Sequence, residues 1–92
     1  MQVNFYATLR DIVGQKSVMF TADGETTIGQ LVEQMVTRYP ALRRELFDSD
    51  GNLYGHVHVF VNGRDVPYLE NQMDTVLRPD DKINVFPAVG GG

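Results

Sequence analysis

Thr27-Ile28-Gly29-Gln30-Leu31-Val32-Glu33-Gln34-Met35-Val36-Thr37-Arg38-Tyr39-Pro40 reads as one amphipathic helix between stretches that alternate with period two. Ile28, Leu31, Val32, Met35, Val36 and Tyr39 recur at steps of three and four, with Gln30, Glu33, Gln34, Thr37 and Arg38 on the opposite face. Asp23-Gly24 signals a turn ahead of it, and Thr26 or Thr27 is placed to accept a backbone N–H as the N-cap. Pro40 disfavours helical geometry at Tyr39 and so ends the helix.

On the N-terminal side, Val3, Phe5 and Ala7 alternate with Asn4, Tyr6 and Thr8, the pattern of a half-buried strand. Leu9 to Gly14 interrupts it as a long loop, and Lys16 to Ala22 alternates again with Val18 and Phe20 on one side, so the pair is expected to form an antiparallel hairpin. On the C-terminal side, Leu42, Leu46 and Phe47 suggest a short helical turn before the turn cluster Asp48-Ser49-Asp50-Gly51-Asn52. His56 to Val61 is rich in β-branched residues and runs into Asn62-Gly63, the dipeptide of a type I′ hairpin turn, with Arg64 to Pro67 returning. Tyr68 to Leu77 carries weak helical signals, and Lys82 to Val89 is a last strand with Ile83, Val85 and Pro87 on one side. The order predicts an α+β fold with a mixed sheet and one main helix packed across one face, for which the ubiquitin-like β-grasp roll fits best. In that roll the first and last strands lie parallel at the centre. Residues 1–89 then form the domain and 90–92 a flexible glycine tail, since glycine has no side chain with which to pack.

Ninety-two residues allow one modest core and no cleft between lobes. The 42% hydrophobic and 22% charged composition is that of a folded globular chain. A formal net charge of -4 repels phosphate backbones, which argues against a nucleic-acid partner and for proteins with basic patches. The adjacent Arg43-Arg44 is read as a solvated face. Cysteine is absent, which removes disulfides, thiolate nucleophiles and Cys-based zinc sites together. With no targeting pattern and no run of about 18 apolar residues, the expectation is a cytoplasmic protein without a membrane partner.

Few side chains propose chemistry of their own. His56 and His58 are two apart and would share one strand face, but no third ligand accompanies them, so a satisfied histidine is the better reading and no metal is expected. The Asp48 cluster would place Leu53 where a calcium loop needs glycine and Val59 where it needs glutamate, so it is a turn. Asp74, Asp80 and Asp81 lie in loop-like sequence beside Pro79 and read as solvated turn residues. The terminal glycines lack the Lys-Ser/Thr and the helix of a phosphate loop. A tail without side chains has another use: it threads a narrow channel in a partner and presents an unhindered carboxylate.

Strand alternation carries one further expectation. If Val3, Phe5, Val57, Val59, Val61, Ile83 and Val85 face the helix, then Tyr6, His58, Phe60 and Phe86 face outward as an aromatic patch near the tail, a partner surface unless the Leu42 to Tyr54 segment folds over it as a small second core.

The ending Phe86-Pro87-Ala88-Val89-Gly90-Gly91-Gly92 resembles that of the ubiquitin-fold sulfur carriers, the MoaD/ThiS-like family that includes the archaeal small modifier proteins: a strand running into Pro, an apolar residue, one variable residue, then Gly-Gly. Phe5-Tyr6-Ala7-Thr8-Leu9-Arg10 is similar to the Phe-Ala-x-Leu-Arg opening of the MoaD branch, and Thr27 to Pro40 and Val59 to Gly63 continue the likeness in order. The Leu42 to His56 stretch is longer than in the smallest members and looks closer to the archaeal modifiers and the carriers that serve cysteine synthesis.

The resemblance implies that Gly92 carries the working carboxylate, adenylated by an E1-like enzyme using ATP and then converted to a thiocarboxylate that donates sulfur, with Gly91 completing the tail. The chain is then no enzyme but a carrier, or a non-catalytic small subunit, that binds no cofactor itself. Its partners would be the E1-like enzyme and the large subunit of molybdopterin synthase or another sulfur-accepting enzyme. Tyr6, His58, Phe60, Phe86, Pro87, Val89 and Gly90 would meet them. Two alternatives stand beside this: a protein modifier whose Gly92 forms isopeptide bonds with target lysines, and a ubiquitin-like binding module without terminal chemistry.

Overall fold

In the computed structural model residues 1–87 are described. In chain order the regular elements are β1 (Gln2–Phe5), α1 (Thr8–Val13), β2 (Ser17–Met19), α2 (Ile28–Arg38), α3 (Arg43–Leu46), β3 (His58–Val61), β4 (Arg64–Asp65) and β5 (Ile83–Phe86), with short 3-10 turns at Pro40–Leu42, Val66–Tyr68 and Gln72–Asp74. The strands form one sheet in the order β2-β1-β5-β3-β4. β1 and β5 run parallel at its centre, with Val3 opposite Ile83 and Phe5 opposite Val85, and the other pairs are antiparallel. This is the expected β-grasp roll.

α2 begins where a capping box satisfies its first donors. The Thr27 hydroxyl accepts from Gln30 N at 3.2 Å, and Thr27 N donates back to the Gln30 side chain at 3.0 Å. In the preceding turn the Glu25 N–H, and after it the Thr26 hydroxyl, hold the exposed Asp23 carboxyl below its ordinary range. Ile28, Leu31, Val32, Met35 and Val36 are all buried against the sheet. Burial of each such side chain stabilises the fold by about 1.5 to 3 kcal/mol relative to exposure. Val3, Phe5, Val57, Val59, Val61, Ile83 and Val85 are buried beneath them, as alternation requires. Leu42, Leu46 and Leu77 complete the same cluster. α2 also shields the edge strand β2, since Arg38 Nη1 donates to Met19 O at 2.9 Å and Gln34 Nε2 to Thr21 O at 3.0 Å.

Four expectations need correction. The loop expected over Leu9 to Gly14 contains α1, which buries Leu9 and Val13 one turn apart and ends on Gly14 at φ 81. Ala7 does not continue β1 but turns the chain into α1 at φ 52. The return strand stops at Asp65, because its side chain caps the next turn through Val66 N at 2.9 Å and Pro67 has no N–H for a ladder. His56 precedes β3 and stacks on Tyr54 at 4.8 Å, so the two histidines do not share a strand face. Phe47, Leu53 and Tyr54 pack on the main core and make no second one. The tail at 90–92, and Val89 at the expected end of the last strand, lie outside the described residues. No helix among the described residues is long and apolar enough to cross a membrane.

Two changes test this packing. Leu31 is fully buried, so Leu31→Ala is expected to cost about 2 to 5 kcal/mol in thermal or denaturant unfolding; a silent substitution would mean a wrong helix register. Ala7 is exposed, yet its φ of 52 is unfavourable for a branched side chain. Ala7→Val should therefore cost about 1 to 3 kcal/mol while Ala7→Gly costs nothing, and equal stability of the two variants would refute the strain.

Candidate functional site

The sheet face turned away from α2 carries the expected aromatic residues as one connected row. Tyr6 follows β1 directly, and its ring stacks on Phe86 at 4.2 Å and 10°. Phe86 meets Phe60 edge-on at 5.5 Å and 87°, and Phe60 stacks with His58 at 6.0 Å. All four side chains are part-exposed. Their contact follows from register: β5 lies between β1 and β3, and His58 is directly opposite Phe86. Aromatic pairs in offset and edge geometry add about 0.5 to 1.5 kcal/mol beyond their burial.

Polar groups hold the row in place. The Tyr6 hydroxyl donates to Asn84 Oδ1 at 3.0 Å, an atom that also accepts from Asn4 Nδ2 at 3.0 Å. The Ser17 hydroxyl extends this neutral network by donating to Asn4 Oδ1 at 2.6 Å. At the far end His58 Nδ1 lies 2.6 Å from Asp65 Oδ2. A carboxylate only accepts, so Nδ1 carries the hydrogen and donates. Asp65 Oδ1 accepts from Val66 N, which leaves both carboxylate oxygens engaged and its side chain only 12% exposed.

Asp65 and Arg10 were not singled out in the sequence as site residues. Asp65 could have been found from the Asn62-Gly63 hairpin, because a two-residue turn sets Phe60 opposite Asp65 on one face, beside His58. Arg10 had no signal apart from the family-like opening; α1 brings its guanidinium to 5.9 Å from the Tyr6 ring centroid, with Nε donating to Phe5 O at 3.3 Å.

Phe86 is the last residue of β5 and belongs to this row, and Pro87 beside it is buried. Val89, Gly90, Gly91 and Gly92 lie outside the described residues. Elsewhere the carboxylates serve turns: Asp48 Oδ1 accepts from Asp50 N and Asn52 N, and Asp81 accepts from Arg78 N and Asn62 Nδ2. Among the described residues no three His, Asp or Glu side chains gather as metal ligands. A concavity of about 800 Å³ lies along the exposed side of α2 between Phe20, Gly29, Glu33 and Arg38, on the face opposite the aromatic row. It is open and has no convergent reactive groups.

A family model described as the ThiS family matches residues 3–92. The chain is 38% identical over 92 residues to small archaeal modifier protein 3 of Haloferax volcanii, covering 100% of this chain and 98% of that one. The crystal structure of SAMP1 from Haloferax volcanii is similar at a TM-score of 0.85 and 30% identity, covering 99% of this chain and 97% of that one. A chain in the crystal structure of the Amycolatopsis orientalis BexX/CysO complex is similar at a TM-score of 0.78 and 26% identity, covering 99% of this chain and 98% of that one. Matched over nearly its whole length, the chain belongs to the ThiS family, among small ubiquitin-like modifier and carrier proteins.

Proposed function

We propose that this protein is a sulfur carrier activated at the carboxylate of Gly92. The carboxylate oxygen attacks the α-phosphorus of ATP held by an E1-like enzyme, forming the acyl adenylate and releasing pyrophosphate. Hydrosulfide, sulfur already at the sulfide level, then attacks the carbonyl carbon, the C–O bond to AMP breaks with AMP as leaving group, and a thiocarboxylate remains. The observation that carries this reading is the root of the tail. Phe86, braced between Tyr6 and Phe60 in a part-exposed aromatic row, is six residues from Gly92 in sequence, so a partner that grips the row also receives the tail. Without cysteine the chain has no thiol on which to carry activated sulfur, and a carbonyl carbon supplies the attachment instead.

ATP is bound by the partner in this reading, and the chain holds no cofactor. The row and the tail residues Val89, Gly90 and Gly91 supply the contacts, whereas Pro87, expected from the sequence to join them, is buried and offers no surface to a partner. After sulfur loading the same surface meets the acceptor, the large subunit of molybdopterin synthase or another sulfur-accepting enzyme. These steps require a compartment with ATP, which is the cytoplasm.

A second reading, protein modification, is favoured by the 38% identity to a protein named as a modifier. It shares the adenylate and differs in product: branched Gly-Gly peptides on target lysines instead of a thiocarboxylate. The intact mass of protein purified from its own cells measures the end group and separates the two.

Activation at Gly92 requires that residue to be the last of the working protein. Deleting Gly92 shortens the reach by about 3.5 Å, and adding one residue buries the carboxylate in a peptide bond. Both changes should abolish ATP:pyrophosphate exchange with the E1-like enzyme at equal folded concentration. If an extended protein, shown by mass to be unprocessed, exchanges at the wild-type rate, the carboxylate is not the working group and the binding-module reading replaces this one. For the docking face, Phe60→Ala should raise the KM for the carrier in the same assay while costing less than the roughly 3 to 5 kcal/mol of a core phenylalanine deletion. A stability loss of that full size would make Phe60 a core residue and remove it from the interface.

A further inference from the structure

The aromatic row is electrically polarised from end to end. At the β1 end stands Arg10, whose guanidinium lies over the Tyr6 ring and whose Nε donates to Phe5 O. Neither Nη has a hydrogen-bond acceptor among the described residues, and the residue is exposed. At the β4 end stands Asp65, with His58 donating to it. Between these ends lie the rings of Tyr6, Phe86 and Phe60. The row therefore runs from a cation with free donors, across an uncharged aromatic centre, to a carboxylate. In a chain of net charge -4, an exposed arginine held beside an aromatic surface differs from the general field around it.

A guanidinium held over a ring with its Nε anchored loses little further freedom on binding, and its Nη groups remain available to an acceptor. From these features we infer that Arg10 is the orientation-setting residue of the docking face. The partner surface that covers the row carries a carboxylate that accepts from the Arg10 Nη groups, beside an apolar patch for the rings, and no anion at the other end, where both oxygens of Asp65 are already engaged within the chain. The reversed placement is rejected, because it would set the partner's carboxylate beside Asp65 and leave the Arg10 Nη groups without an acceptor. Only one placement then delivers the tail root at Phe86 toward the partner's ATP. This rests on the proposed activation by an E1-like enzyme, and its test separates the two.

The measurement is the KM for the carrier in ATP:pyrophosphate exchange with the E1-like enzyme of the same organism, for variants whose folding is verified by thermal unfolding. Phe60→Ala reports whether the row docks at all. Arg10→Lys keeps the charge, Arg10→Gln removes it and Arg10→Glu reverses it. Arg44→Glu makes the same net change as Arg10→Glu at an exposed site on α3, away from the row. The expected order of KM is wild type, Arg10→Lys, Arg10→Gln, Arg10→Glu, with the reversal raising KM about tenfold or more and Arg44→Glu near wild type. If Phe60→Ala raises KM but the three Arg10 variants rise equally, Arg10 merely braces Tyr6 and the polarity inference is overturned while docking stands. An equal rise for Arg10→Glu and Arg44→Glu would also overturn it, since net charge would then be the cause. If Phe60→Ala leaves KM unchanged, the row is not the docking face and the inference falls with that reading.

Discussion

The parallel ladder between β1 and β5 joins the two ends of the chain, and most other features follow from it. Val3 faces Ile83 and Phe5 faces Val85 across about 80 residues of sequence, so no local turn supplies the pairing. A parallel pair at the sheet centre needs its inner face covered, and α2, with its five buried apolar side chains, provides the cover. Once Phe5 and Val85 are buried beneath α2, the following residues, Tyr6 and Phe86, must point the other way. Their stacking at 4.2 Å is the outward counterpart of the same register. A slip of one residue would bury Tyr6 and Phe86 and expose Phe5 and Val85, so core stability and the integrity of the row depend on one alignment.

The sheet also separates two kinds of surface. Toward α2 the side chains are aliphatic or aromatic and buried; away from it they are amides, a hydroxyl, aromatic rings and a histidine. The network of Asn4, Asn84, Ser17 and Tyr6 is built from neutral groups, so a partner can cover this part of the face without burying an unpaired charge. Arg10 and Asp65 stand at the two ends of its aromatic row. An acidic protein with a charge-poor face has the composition expected of an interface centre, where charged residues are depleted and aromatics enriched.

Periodicity made the main elements legible. The stripe of α2, the inward valines and the outward positions of Tyr6, Phe60 and Phe86 all followed from counting residues in twos or in threes and fours, because burial on one face imposes those periods. α1 was missed because six residues with two apolar anchors, Leu9 and Val13, are too few to establish a period. The ends of β3 and β4 were misplaced for a different reason. Local side-chain bonds at Asp65 and the stacking of His56 on Tyr54 override the strand preference of their neighbours. The partnership of His58 with Asp65 and the approach of Arg10 to Tyr6 depend on three-dimensional placement of β4 and α1, which alternation does not encode. The glycine tail expected at 90–92 rests on composition alone and lies outside the described residues.

The proposed activation would divide recognition from chemistry in space. With the row as the binding surface, the carbon proposed to react is six residues beyond Phe86 in sequence, so row contacts would be the same before and after the carboxylate reacts. Interactions that do not change along the reaction lower KM without altering the barrier of the chemical step. Changes in the row should therefore affect how much carrier is needed, whereas changes at the end of the tail should affect whether reaction occurs at all. For the proposed activation, a small domain needs no more than this: a rigid, oriented handle on the sheet and a main-chain end slim enough to enter someone else's active site.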